Sequence, residues 1–148
     1  PLPQISAHER GFMPVALTRD FVKMTIPGDM SYLPVCQSCV RAFAKKIGFA
    51  DKELSDIELS VEEAVSNVIR HAGAGKVEVA VGVGPGEVAL VVTDDGCGFD
   101  PAADHAGNGL ANIRARLQRF GGTLEWQNTK PGMRLALRLP ARDSIGQP

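Results

Sequence analysis

Apolar and polar positions alternate along Phe21-Val-Lys-Met-Thr-Ile26, which predicts a strand ended by Pro27-Gly28. Leu33, Cys36, Val40, Phe43, Ala44 and Ile47 then recur at helical spacing and predict a first helix, with Ser31 as its N-cap and Gly48 as its stop. A second helix is expected from Asp51 or Ser55 to Ala72-Gly73, with Leu54, Ile57, Val61, Ala64, Val65, Val68 and Ala72 on one stripe. Glu63, Asn67 and His71 share a different stripe, with Arg70 beside them, so this polar set faces away from the deepest core. Lys76 to Val83 and Glu87 to Thr93 read as strands joined by Gly84-Pro85-Gly86, a hairpin by composition. The Gly-, Asp- and Ala-rich stretch from Asp94 to Asn108 reads as a loop. A third helix is expected from Gly109 to Phe120, with Leu110, Ile113, Leu117 and Phe120 inward and Gly121-Gly122 ending it. Thr123 to Gln127 and Met133 to Leu139 form a last pair of strands around Lys130-Pro-Gly132.

The elements sum to an α+β fold: a two-layer α/β sandwich with three helices on one face of a mixed, mainly antiparallel sheet. Residues 1–20 are expected to be an arm, 21–140 the domain and 141–148 a polar tail. The 148 residues suit a single domain with its own core. A net charge of −1 gives no support to a nucleic-acid partner, which would need a basic surface to displace counterions. No run approaches the ~18 apolar residues of a membrane-spanning helix, and no charged-then-apolar leader opens the sequence. Three cysteines, an odd number, suggest reduced thiols and a cytoplasmic location.

Candidate chemistry is concentrated in three short motifs. Glu63-Ala-Val-Ser-Asn67 places a carboxylate and a carboxamide one helical turn apart, on the same face. A solvated helix face is the usual fate of such a pair taken alone. Asp94-Asp-Gly-Cys-Gly98 follows an apolar strand, and its glycines let the backbone approach a ligand closely. Gly107-Asn-Gly109 opens a helix, whose N-terminus is a natural phosphate site. An Asn oxygen can ligate magnesium without adding negative charge against phosphates. A carboxylate one turn earlier can orient or deprotonate an attacking hydroxyl or water. A strand-end Asp can accept a hydrogen bond from an exocyclic amine and so tell one base from another. The ordered set points to a nucleotide site.

With these motifs the stretch from Phe21 to Pro140 resembles the GHKL superfamily, the Bergerat-fold ATP-binding domains of gyrase, Hsp90, histidine kinases and MutL. Glu63-Ala-Val-Ser-Asn67-Val-Ile-Arg-His71 corresponds to the N box, Asp94-Asp-Gly96-Cys-Gly98 to the G1 box and Gly107-Asn-Gly109-Leu110 to the G2 box. The resemblance implies ATP and Mg2+ as cofactors, with Glu63 as general base, Asn67 as the magnesium ligand and Asp94 on the adenine amine. It also implies that Gly96, Gly98, Gly107, Gly109 and Leu110 shape the lid and phosphate loop, and that Arg70 or His71 lies near the phosphates.

Two branches of the superfamily are represented. Ile26-Pro-Gly-Asp-Met-Ser-Tyr-Leu33 and Asp56-Ile-Glu-Leu-Ser-Val-Glu-Glu63-Ala resemble anti-sigma-factor serine kinases of the SpoIIAB and RsbW type. Asp94 to Pro101 and Gly109-Leu-Ala-Asn-Ile-Arg-Ala-Arg116 resemble sensor histidine kinases. His8-Glu9-Arg10 is followed by Gly11 and Pro14, which would break a phosphoacceptor helix. The favoured expectation is therefore an ATP-dependent serine/threonine protein kinase and anti-sigma-like switch, with a sigma factor or an antagonist protein as partner. The alternative is the ATP-binding domain of a sensor histidine kinase, acting on a phosphoacceptor domain. A homodimer, or a complex with a protein partner, through the first strand and first helix is expected by the same resemblance. The Gly-Thr pair usual before the last strand is replaced by Gly132-Met133, and the lid between Gly98 and Gly107 is short.

Cys36-Gln-Ser-Cys39 has zinc half-site spacing but no second pair, so two core or near-core thiols are expected. Cys97 reads as a tolerated small residue beside the nucleotide, and Trp126 as packed on the sheet. His8 and His105 read as surface residues.

Overall fold

The computed structural model describes residues 20–71, 73–84, 87–97, 108–129 and 132–140. Strand β1 (Phe21–Pro27) leads through one 3-10 turn (Met30–Tyr32) into helix α1 (Leu33–Lys46) and helix α2 (Asp51–His71). Strands β2 (Lys76–Gly84) and β3 (Glu87–Asp94), helix α3 (Asn108–Gln118) and strands β4 (Thr123–Asn128) and β5 (Met133–Pro140) follow. The five strands form one sheet in the order β1-β2-β3-β5-β4, and all four described pairings are antiparallel.

The strands show the two-residue period of a sheet with one apolar core face. Val77, Val79, Val81 and Val83 on β2 align with Asp94, Val92, Leu90 and Val88 on β3. Leu135 and Leu137 continue this row on β5, and Leu124 on β4. The apolar residues of these rows join Cys36, Val40, Phe43 and Ala44 of α1, Leu54, Val61, Val65 and Val68 of α2, and Ile113 and Leu117 of α3 in one buried cluster. Trp126 is partly buried against the same cluster, as expected of it. The opposite sheet face carries charge, with Arg138 bridging Glu87 at 2.8 Å and Glu125 at 3.5 Å. Where α1, α2 and α3 meet the sheet far from Asp94, an apolar cleft is lined by Val40, Phe49, Ile57, Val81, Leu117 and Leu139.

One expected cap is corrected. The Asp29 carboxylate, not the Ser31 hydroxyl, holds the helix entry by accepting from the Ser31 N–H at 2.9 Å. Asp at an N-cap satisfies an orphan backbone donor, and here it does so for the 3-10 turn, so α1 itself starts at Leu33 with Pro34 in its first turn. Helix α2 starts at the earlier of its two candidate positions, where Glu53 reaches back to accept from the Ala50 N–H at 3.3 Å. Helix α3 ends as expected, the Gly122 N–H donating to the Leu117 carbonyl at 2.8 Å. The arm up to residue 19, the tail from 141, the hairpin tip at 85–86, Gly98, Gly107, His8 and His105 lie outside the described residues.

Candidate functional site

Helix α2 delivers the first motif. Val61, Ala64, Val65 and Val68 are buried and fix the rotation of the helix, which sets Glu63 and Asn67 on its flank toward α3. Glu63 is not a solvated helix residue. Arg116 of α3 donates from Nη1 to its Oε1, and the two side chains are only 23% and 22% exposed. The second oxygen, Oε2, is buried and has no hydrogen-bond partner among the described residues. Asn67, one turn on, is half-buried. Arg70 is exposed, and His71 closes the helix.

Strand β3 delivers the second motif. Asp94 is its last residue, on the core-facing row, paired with Val77 just after α2 has ended. It is 5% exposed, one of two buried polar or charged residues among those described. The Gly96 N–H donates to Asp94 Oδ1 at 2.7 Å, whereas Oδ2 is buried without a hydrogen-bond partner among the described residues. Burial holds the Asp94 carboxyl above the ordinary carboxylate range, with the neighbouring Asp95 charge pushing the same way, against the opposing pulls of the Gly96 and Met133 backbone amides. The two candidate carboxylates thus share a pattern: each has one oxygen tied and the other buried and unmatched. Buried unmatched acceptors are uncommon in folded proteins.

Three contacts link the segments that carry these motifs. The Glu63–Arg116 pair joins the second half of α2 to α3. Asp95 Oδ1 accepts from the backbone N–H of Gly75 at 2.7 Å and of Lys76 at 3.1 Å, tying the G1 motif to the segment after α2. These amide bonds, that of Lys76 foremost, hold the Asp95 carboxyl below the ordinary range. Gly132, at φ +94°, passes directly beneath Asp94. Gly109 and Leu110 lie in the first turn of α3, which begins at Asn108.

Arg116, Asp95 and Gly132 are the residues that sequence reasoning did not single out. Asp95 was visible as the second acid of a tandem. Gly132 was visible only as part of a departure from the Gly-Thr pattern. Nothing in the spacing within α3 says which residue of α2 Arg116 meets. The thiols fall as expected: Cys36 is buried and Cys39 half-buried on α1, and Cys97 is exposed. Burial pushes the Cys36 thiol up to about 11, with Cys39 adding to it.

A family model described as a histidine kinase-like ATPase domain matches residues 26–137. The serine-protein kinase RsbW of Bacillus velezensis is 28% identical over 85 residues, which cover 55% of this chain and 53% of that protein. The sensor histidine kinase MctS of Rhizobium johnstonii is 36% identical over 83 residues, covering 53% of this chain and 18% of that protein. The chain spans about half the length of the RsbW relatives it matches. Among solved structures, the ATP-binding domain of PrrB from Mycobacterium tuberculosis is similar with a TM-score of 0.54 and 28% identity, over 61% of this chain and 70% of that one. A protein with RsbU and RsbW domains from the same organism shares the fold with a TM-score of 0.61 at 19% identity, over 83% of this chain and 34% of that one.

Proposed function

The chain belongs to the family of histidine kinase-like ATPase domains, and from that premise we propose that it is an ATP-dependent serine/threonine protein kinase that also holds a protein partner. The observation that carries this reading is the pair of half-satisfied carboxylates, Glu63 and Asp94. The residues present fit a magnesium nucleotide. Asp94 Oδ2, core-facing and unmatched, suits the exocyclic amine of adenine. The Asn67 amide suits magnesium, because it adds no negative charge beside phosphates. The N-terminal turn of α3, with Gly109 and Leu110, suits phosphate oxygens, and Arg70 and His71 stand at the end of α2. Bound ATP supplies the γ-phosphoryl group, and magnesium screens its charge.

The chain's own part in the chemistry follows from the donor set. Glu63 Oε2 accepts the proton of an attacking hydroxyl, which is the work of a general base. Asp94 fixes the base of the nucleotide and so its orientation, and by the family resemblance Gly96, Gly98 and Gly107 belong to the lid and phosphate loop. The similarity to RsbW over 85 residues supports serine as acceptor. By the same resemblance the partner is a sigma factor or an antagonist protein, and the chain acts in the cytoplasm. No described helix is long and apolar enough to cross a membrane. A dimer through β1 and α1 belongs to this proposal: β1 is an edge strand, and Phe21, Tyr32 and Val35 are exposed at 56%, 41% and 59%.

A second reading, the ATP-binding domain of a sensor histidine kinase, is favoured by the 36% identity to MctS. Incubation with γ-labelled ATP and candidate partners separates the two. Acid-stable phosphoserine is the expected product, acid-labile phosphohistidine supports the second reading, and no transfer to any partner counts against both.

A further inference from the structure

We propose that Arg116 is the positioning residue for Glu63, so that the orientation of the base is set by the helix that begins at the phosphate loop. The inference rests on the reading of Glu63 as general base. Its ground is the form of the ion pair. A guanidinium engaging a carboxylate only structurally gains most from two parallel hydrogen bonds, which would satisfy both oxygens. Here Arg116 Nη1 engages Oε1 alone, and Oε2 stays buried and unmatched. The contact therefore fixes the carboxylate through one oxygen and does not engage the other.

The neighbouring residues show that the contact is selective. Glu62, beside Glu63 on α2, is exposed, and so is Arg114, two residues before Arg116 on α3. Neither forms an ion pair among the described residues. Arg116 is held by its place next to the buried Leu117, in the last turn of an 11-residue helix whose first turn contains Gly109. Arg116 lies seven positions after Gly109, about 10 Å along the helix at ~1.5 Å per residue.

The test uses Arg116→Met, Arg116→Lys, Glu63→Gln and the Arg116→Met/Glu63→Gln double variant of the full chain. Without nucleotide, urea unfolding midpoints of the two single variants and the double variant should be non-additive, as for residues in contact. Calorimetric titration with MgATP should give affinities within about threefold of wild type for both Arg116 variants, since a group acting on the base leaves ground-state binding intact. Phosphate release from ATP should fall about 10- to 100-fold in kcat for Arg116→Met with KM little changed, and Arg116→Lys should recover part of it. The double variant should be no slower than Glu63→Gln. Additive unfolding midpoints overturn the proposal. So does full kcat in Arg116→Met when Glu63→Gln is inactive, which leaves the reading of Glu63 standing. Full kcat in Glu63→Gln overturns that reading, and the role of Arg116 with it. Should Arg116→Met fail to fold, Arg116→Lys with wild-type affinity and lowered kcat carries the proposal, and Arg116→Lys with wild-type kcat overturns it.

Discussion

Gly132 lies so close beneath Asp94 that a Cβ on it would sit 1.9 Å from the Asp94 carbonyl oxygen and 3.1 Å from its Oδ1. No side chain fits that approach, and the φ of +94° is itself a conformation that L residues rarely adopt. The start of β5 therefore acts as a floor that fixes the height of the buried carboxylate.

Gly132→Ala is accordingly expected to cost at least about 2 kcal/mol of stability and to abolish nucleotide binding, because strain and a backbone clash act together. Gly73→Ala is the control. Gly73 has a φ of +62° but nothing within 4 Å of the position its Cβ would take, so only the conformational cost of about 1 kcal/mol remains. Chemical denaturation of the two variants, with nucleotide titration of each, checks the contrast.

Adjacent aspartates should respond to pH in opposite senses. The Asp94 carboxyl is raised in the fold, so its ionisation costs stability as pH rises through its folded pKa. Asp94→Asn cannot ionise, and its stability relative to wild type should rise from acid to neutral pH. The Asp95 carboxyl is lowered, so it contributes stability above its unfolded pKa that is lost as pH falls through the folded value. Asp95→Asn should be less stable than wild type at neutral pH, with the gap closing in acid. Denaturation midpoints of both variants across the acid range measure the two trends.

Thiol chemistry should separate the cysteines. Cys97 is exposed at the G1 motif, whereas Cys36 is fully buried with its thiol pushed up to about 11. An alkylating reagent at neutral pH should label Cys97 first and leave Cys36 unmodified until the protein unfolds. Peptide mapping by mass spectrometry reads the order.

The fold was legible because its core stripes have clean periods. The α2 row of Leu54, Val61, Val65 and Val68 and the β2 row of Val77, Val79, Val81 and Val83 are all buried as spacing predicts. The Ser31 cap was misplaced because Asp29 and Ser31 both suit a helix entry, and only the observed bond to the Ser31 N–H chooses between them. At the site, the spacing of Glu63 and Asn67 within one helix was readable, as was Asp94 at a strand end. The contacts that make the carboxylates half-satisfied were not. Arg116 lies 53 positions from Glu63, and Gly132 meets Asp94 across a strand pair, so both depend on how separate elements dock.

Association through β1 and α1 is expected to show as a dimer mass by light scattering at micromolar concentration. Val35 is 59% exposed on α1, and Val35→Glu should return a folded monomer by circular dichroism, with an unfolding midpoint that no longer depends on protein concentration. A wild-type monomer with no partner retained in a pull-down would contradict the dimer and the partner-holding reading.

Isothermal titration of wild type and Asp94→Asn with ATP and GTP, with and without magnesium, tests the central claim most directly. Wild type should bind ATP in preference to GTP and more tightly with magnesium. Asp94→Asn should lose about 1–3 kcal/mol of ATP affinity, the cost of a buried polar partner left mismatched, along with the preference for adenine. Equal ATP affinity in the two proteins, or no ATP binding by wild type, would contradict the assignment of this site.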